Sequence, residues 1–355
     1  MIRTEETDRR GLPTALRQIS RRVIRLFNGA HSISPTSTHQ PSLPRAPVIT
    51  FWYGDRQIFG QNGIPQTWIN ILGNAFSRSG IASVVYSLNG GPKQSLWIGT
   101  TRTRLVDPGD FNVEIAYSSL LPGANEVCLT ATARDGHTSE RSVTVEYVAG
   151  KTCPYIYSVD WAKVTDIQDV AQIIDGHWAL RDGGVRTVQT GYDRLVGFGE
   201  MNTWTNLLGT VEITIHAVDP TGFAVGPIVG WTGHTAEDNG LVWLDQPRSG
   251  HPFPADFVYT EHGLIIGSNS SETPETTLVE KNIEIRLGVK HIFKFQVTSN
   301  YLGGSHFSFK VWVAGRLEPV GWQLQADGVL CCGSVLIAAH RADITVGNIH
   351  ITPLP

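Results

Sequence analysis

The sequence predicts an all-β protein: two β-sandwiches of unequal size behind a short amphipathic helix. Three observations carry this reading. Charged residues make up only 17% of the 355, while Gly (37) and Trp (10) are plentiful, a balance that favours strands joined by tight turns. Apolar and polar residues alternate at period two in many segments from residue 48 onward. A helical apolar period recurs convincingly over residues 12–27 alone.

Those residues read LPTALRQISRRVIRLF. Leu12, Leu16, Ile19, Val23 and Leu26 recur at spacings of four and three, which places them along one stripe. Arg17, Arg21, Arg22 and Arg25 flank it, Pro13 suits a first helical turn, and Asn28-Gly29 suits a stop. Residues 1–45 carry eight arginines against Glu5, Glu6 and Asp8, a net +5 that leaves −9 for the rest of a chain whose total is −4. A basic amphipathic helix of this kind suits peripheral contact with an anionic membrane through residues 12–27; the alternative is a leader that packs on the body or on nothing. Residues 30–47, rich in Ser, Thr and Pro, read as a linker.

Between Val48 and Val148 the strand pattern is dense: VITFWY, IASVVYSLNGG, FNVEIAYSSL, NEVCLTATARDG and RSVTVEYV. In the fourth, Val127, Leu129, Ala131 and Ala133 alternate with Cys128, Thr130, Thr132 and Arg134, and Asp135-Gly136 then makes a hairpin turn. About 100 residues is the size of an immunoglobulin-type sandwich. The stretch PGANEVCLTATARDGHTSERSVTVEY resembles the final hairpin of bacterial Ig-like and fibronectin-like modules, without the Cys…Trp…Cys signature of antibody domains. The resemblance implies an Ig-like sandwich over 48–149 that acts as a spacer or adhesion unit.

From residue 155 to 355 VEITIHAVD, NIEIRLG, HIFKFQVTS, HFSFKVWVAG, GSVLIAAH and ITVGNIHITPL all alternate between glycine-rich turns. A single sandwich of this length is a jelly roll of two stacked sheets. VLIAAHRADITVGNIHITPL, together with the paired strands of FKFQVTSN…HFSFKVWVAGRLEPVGWQL, resembles the laminin-G/concanavalin A-like superfamily. That resemblance implies a concanavalin-like jelly roll that binds carbohydrate, with Ca²⁺ as a frequent cofactor of such domains.

Strand parity sorts the candidate ligand-binding residues. Val211, Ile213 and Ile215 oppose Glu212, Thr214 and His216; Phe293, Phe295 and Val297 oppose Lys294 and Gln296; Phe307, Phe309, Val311 and Val313 oppose Ser308, Lys310 and Trp312. If these strands are neighbours, one face carries Glu212, His216, Lys294, Gln296, Lys310 and Trp312. A ring for the pyranose face with amides and charges for its hydroxyls is what a sugar needs; the solvated outside of a sandwich alternates in the same way. A second cluster holds Arg186, Tyr192, Arg194, Trp231 and His234 in glycine-rich loops and strands, either as a recognition surface or as buried aromatics and structural pairs. Asp343 and Asn348 offer oxygens for Ca²⁺ near the final strand, but no DxDxDG or HExxH spacing is present.

No GxSxG elbow, P-loop or GxGxxG follows a strand. The sequence therefore supports a non-catalytic carbohydrate-binding or adhesion protein with a polysaccharide or glycan partner. Two alternatives stay open: a jelly-roll polysaccharide lyase or hydrolase, with His216, Arg186 and Tyr192 in the lyase roles, and a structural assembly protein. Nucleic acid is not an expected partner. The carbohydrate reading places the protein outside the cell or on its surface, although the first residues show no apolar core of a secretory signal. Cys128, Cys153, Cys331 and Cys332 read as buried thiols rather than a disulfide framework.

Overall fold

The strand pattern folds as four main sheets, paired into two sandwiches. The computed structural model describes residues 46–100, 104–154, 156–238, 241–242, 245–270, 274–299, 303–330 and 332–354. The helix predicted over 12–27, most of the 30–47 linker and Cys331 lie outside these residues.

The smaller sandwich comprises β1 (Val48–Phe51), β2 (Arg56–Phe59), β3 (Trp68–Phe76), β4 (Ile81–Leu88), β5 (Gln94–Leu96), β6 (Asp110–Ala116), β7 (Gly123–Ala133) and β8 (Thr138–Tyr147). Its sheets run β1-β3-β6 and β2-β8-β7-β4-β5. The hairpin over Asp135-Gly136 sets Val127 opposite Val143. Both are fully buried, as are Leu129 and Ala131, so the alternation of β7 faces the core as its sequence requires.

The larger sandwich comprises β9 (Tyr157–Val159), β10 (Gln172–Asp175), β11 (Trp178–Arg181), β12 (Gly184–Thr187), β13 (Asp193–Phe198), β14 (Leu207–Val218), β15 (Ala224–Trp231), β16 (Glu237–Asp238), β17 (Leu241–Val242), β18 (Ala255–Thr260), β19 (Gly263–Ser268), β20 (Thr276–Lys281), β21 (Lys290–Ser299), β22 (Ser305–Val313), β23 (Leu324–Gly328), β24 (Ser334–His340) and β25 (Ala342–Pro353). A seven-stranded sheet, β10-β13-β24-β15-β18-β19-β20, packs on an eight-stranded sheet, β11-β12-β25-β14-β21-β22-β23, and β9 adds to β25. Their facing surfaces share one core in which Phe257 meets Phe295, Phe307 and Phe309 at centroid separations of 5.7–6.0 Å.

Strand β3 shows why some elements do not announce themselves by alternation. Ile69 and Ile71 fill the small core, while Asn70 and Leu72 on the other face are equally buried. That second face lies against the larger sandwich: Leu72 joins its core, and Gln172 of β10 donates to Asn70 Oδ1. On β6, Asn112 and Glu114 are buried in the same junction.

Arg104 is the centre of this junction. Its Nε donates to Asp175 Oδ1 and its Nη1 to Glu114 Oε1, each at 2.7 Å. Asp175 is also bonded by His234 at 2.7 Å and by Asn112 at 3.2 Å. Burial alone would raise the Asp175 pKa, yet Arg104 and His234 overcome that and hold it below the ordinary value. The described residues of the two sandwiches accordingly fall within one compact unit.

Removing one partner of a buried ion network leaves the others uncompensated. Asp175→Asn is therefore expected to lower stability by about 3–5 kcal/mol in denaturant unfolding. An unchanged midpoint would show that the network contributes nothing to the fold.

Candidate functional site

The residues predicted from sequence fall into three places. Glu212, His216, Lys294, Gln296, Lys310 and Trp312 do share the outer face of the eight-stranded sheet. Cross-strand register sets Glu212, Ile292 and Trp312 in one row and Thr210, Lys294 and Lys310 in the next. They form no open groove, because the polar groups bind one another. Lys310 Nζ is 2.6 Å from Glu318 Oε1, donates to the carbonyls of Pro319 and Gly321, and lies 4.9 Å from the Trp322 ring centroid. The turn after β22 folds back over it and leaves the residue 6% exposed. Lys294 binds the same Glu318, and Lys290 binds Glu212. Trp312 stays half-buried on this face.

Arg186 and His216 lie further along that sheet. The Arg186 guanidinium grips both oxygens of Asp343 (3.0 and 2.7 Å) and bonds Asp182 (2.8 Å), while His216 Nε2 meets Thr345 Oγ1 at 2.8 Å. Strands β12 and β22 are four steps apart in the sheet, so Arg186 and Lys310 stand roughly 19 Å apart at about 4.8 Å per strand. The expectation that Arg186, His216, Lys310 and Trp312 line one pocket is corrected. A guanidinium already bidentate to Asp343 is not free to neutralise a uronate, which removes the basis for its lyase role.

The metal expectation fails on the same pairing. Both Asp343 oxygens accept from Arg186, which holds that carboxyl below its ordinary pKa. Asn348 Oδ1 accepts from the Trp161 backbone five residues further along β25. Among the described residues no three His, Cys, Asp or Glu side chains cluster as a metal centre, so these two do not fit Ca²⁺.

Trp231, His234 and Arg194 are corrected as ligand contacts because the smaller sandwich covers them. Trp231 is fully buried and donates to Gln66 Oε1 at 2.9 Å; His234 is bonded to Asp175 and to the Gly250 carbonyl. Arg194 is 1% exposed, with Nη1 donating to the Arg104 carbonyl. Burial lowers its pKa against the pull of Asp175, Asp193 and Asp110.

Tyr192 alone of the predicted set lines an open trough. This depression, about 450 Å³, runs over the outer face of the seven-stranded sheet. Its floor is low because Ala224 on β15 and Ala338 on β24 present only methyl groups. One wall is aromatic. Tyr192 packs edge-to-face on His340 at 4.4 Å and faces His251 at 6.3 Å, and His251 in turn meets Phe253 at 5.4 Å. Phe223, Glu261 and His262 line the trough near the β18–β19 turn, and Glu275 and Thr277 line it at β20.

Asp256 lies in the floor, on the face of β18 opposite Phe257, and is 3% exposed. Its Oδ1 is itself closed off from solvent and has no hydrogen-bond partner among the described residues, although the backbone N–H groups of Asp256 and Gly267 act on the carboxyl and oppose part of the effect of burial. Directly across the ladder stands Gly267, where a Cβ would come within 2.5 Å of that oxygen. The glycine makes room for the carboxylate. Asp193, by contrast, is held by His340 Nδ1 at 2.8 Å. Burial pushes the Asp256 carboxyl up to about 7, with the charge of Glu275 adding to the shift. The chemistry available to a ligand is the carboxylates of the lining, Asp193, Glu261 and Glu275, beside rings that can stack on apolar faces.

Asp256, His251 and Phe253 were not singled out in the sequence. The signal for Asp256 was present: a carboxylate in ADFVYT, between strand residues that alternate apolar, is rarely buried without a reason. His251 and Phe253 sit in a loop, where no periodicity marks which side chains turn inward.

Compared with known proteins, the chain matches no family model and no curated protein. Among solved structures it is similar to the VIP36 exoplasmic/lumenal domain in its Ca²⁺/Man3GlcNAc-bound form, at 12% identity over 57% of this chain and 89% of that one, with a TM-score of 0.33. It is similar also to a carbohydrate-binding module of the β-sandwich superfamily (12% identity, 87% and 96% covered, TM-score 0.19). A third likeness is to SGBP-B of the Bacteroides ovatus mixed-linkage glucan utilization locus, in complex with a heptasaccharide (12%, 88% and 100%, 0.18). At this distance they do not bear on what the chain binds.

An acid whose pKa is higher folded than unfolded keeps its proton longer in the native state, so native stability falls as pH rises from the ordinary value near 3.8 to about 7. Asp256→Asn removes that loss. The variant is expected to unfold at a higher temperature than the parent above a pH of about 8, and at the same temperature near pH 4. Equal unfolding temperatures across the whole range would contradict the assignment of Asp256 as a strained acid.

Proposed function

We propose that the chain is a non-catalytic glycan-binding protein whose ligand lies in the trough over the seven-stranded sheet. The observation that carries this reading is an open depression walled on one side by the Tyr192, His251 and Phe253 rings, with Asp193, Glu261 and Glu275 among its polar lining. The Tyr192, His251 and Phe253 rings supply the apolar surface on which pyranose C–H faces stack. A low floor between raised walls suits an elongated chain better than a flat face would. An extracellular or cell-surface setting follows from this reading, since that is where polysaccharide ligands are met.

The test is a glycan array followed by calorimetric titration of the best ligand. Tyr192→Ala is expected to weaken binding about tenfold or more, as loss of a central aromatic contact does, while Trp312→Ala on the opposite sheet leaves it unchanged. Binding that survives Tyr192→Ala but is lost with Trp312→Ala would move the site to the other sheet. No glycan response at all would overturn the reading.

A further inference from the structure

The turn that follows β22 holds apolar side chains out in the open. Its inside is polar and pinned. Lys310, almost wholly buried, donates from Nζ to the carbonyls of Pro319 and Gly321 and meets Glu318 at 2.6 Å. Gln323 closes the turn by accepting from the Val311 N–H and donating to the Val311 carbonyl. On the outside, Leu317 is 96% exposed and Val320 is 105% exposed. Val313 and Leu287 extend the apolar set at the same end of the sandwich, and both are exposed. Val313 stands across from His291, the Ala314 N–H donates to the Lys290 carbonyl, and Leu287 lies in the connection that leads into Lys290.

Two cations flank this tip. In the connections over residues 282–289 and 314–323 the charged groups are Glu284, Arg286, Arg316 and Glu318. Glu318 is held by Lys294 and Lys310, and Lys290 is paired with Glu212. Arg286 and Arg316 have no carboxylate partner among the described residues. Burial lowers the pKa of His291 and the charge of Arg286 adds to it, which sets Arg286 beside the strand end that carries Val313. Trp312 and Trp322 lie half-buried behind the tip.

Single exposed aliphatics are ordinary; a pinned turn that carries two, beside two more and two unpaired arginines, is a contact surface. Its size decides the partner. Four such side chains offer roughly 400 Å² between them, against about 800 Å² that each partner of a standard protein complex buries. A bilayer needs neither that area nor a matching pocket. Aliphatic side chains enter the acyl boundary, guanidiniums meet lipid phosphates, and indoles favour the headgroup level. We infer that the turn over residues 315–321 is a membrane-contact tip: Leu317 and Val320 enter an anionic lipid surface while Arg286 and Arg316 bind its phosphates. This does not depend on the glycan reading. A contact so small is weak by itself, and stable attachment takes a second signal; the basic amphipathic stripe of residues 12–27 has the chemistry for one.

The inference is tested by flotation of the full chain with vesicles of phosphatidylcholine alone and of phosphatidylcholine with about one-third phosphatidylserine. The anionic vesicles are expected to bind the chain and the neutral ones far less, with binding weakened by salt. Leu317→Ser combined with Val320→Ser should weaken binding about tenfold, and Arg286→Gln and Arg316→Gln about fivefold each. Leu121→Ser, at an exposed leucine of the smaller sandwich, should leave it unchanged. All these positions are exposed, so unfolding temperatures should stay at the parent value. Equal binding by the parent and the double serine variant would overturn the inference, as would failure to bind either vesicle or equal binding to both. Self-association in sedimentation that is lost in the double serine variant, without vesicle binding, would assign the tip to a second copy of the chain and overturn it too.

Discussion

The buried Arg104 guanidinium, clamped between Glu114 and Asp175, fixes the rest of the molecule. A cation this far from water persists only with charged partners on more than one side, and here the partners come from two different sandwiches. Glu114 lies on the small sandwich and Asp175 on the seven-stranded sheet. Neither sandwich could bury its half alone. The two must therefore dock, and β3 and β6 accept polar residues on a face that would otherwise meet solvent.

The docking reaches as far as the trough. Glu114 Oε2 accepts from the backbone and the guanidinium of Arg248, and Arg248 stacks 3.6 Å over the Trp68 ring. Gln246, two residues earlier, bonds the Glu114 backbone and the Tyr86 hydroxyl. This stretch leads directly into His251 and Phe253, and the Phe253 backbone is then caught by the Asn269 side chain. The aromatic wall of the trough is thus held from below by the small sandwich. A loop tied at both ends presents its rings at low entropic cost, which is what a binding wall requires.

Sequence parity read the interior well, and for a plain reason. Phe293, Phe295, Phe307 and Phe309 are all buried within the larger sandwich, and Lys294, Gln296 and Trp312 all point away from it. Period two decides which face a side chain takes, but not what covers that face. The outer face of the eight-stranded sheet was read as a site because it was polar, whereas Glu318 reaches it from a turn that no alternation marks. Strand β3 was opaque for the opposite reason, being buried on both faces, and β6 was read as a strand although the cover over its second face was not. Trp231 and Arg194 were correctly noticed as unusual, but what makes them so is the junction: Gln66 partners the Trp231 ring, and the Arg104 carbonyl accepts from Arg194 Nη1, while Arg194 Nε and Nη2 have no partner among the described residues.

Asp175 and Asp256 differ sharply when set side by side. Both are carboxylates on the seven-stranded sheet, and both are sealed to within a few per cent of complete burial. Asp175 receives bonds from Arg104, Asn112 and His234, and its pKa falls. Asp256 keeps one oxygen unmatched, and its pKa climbs. The same sequence that surrounds one acid with three donors places Gly267, Ala338 and Ala224 around the trough floor beside the other. A fold able to neutralise a buried aspartate so thoroughly at one edge has not done so in the trough, although an asparagine there would relieve the strain.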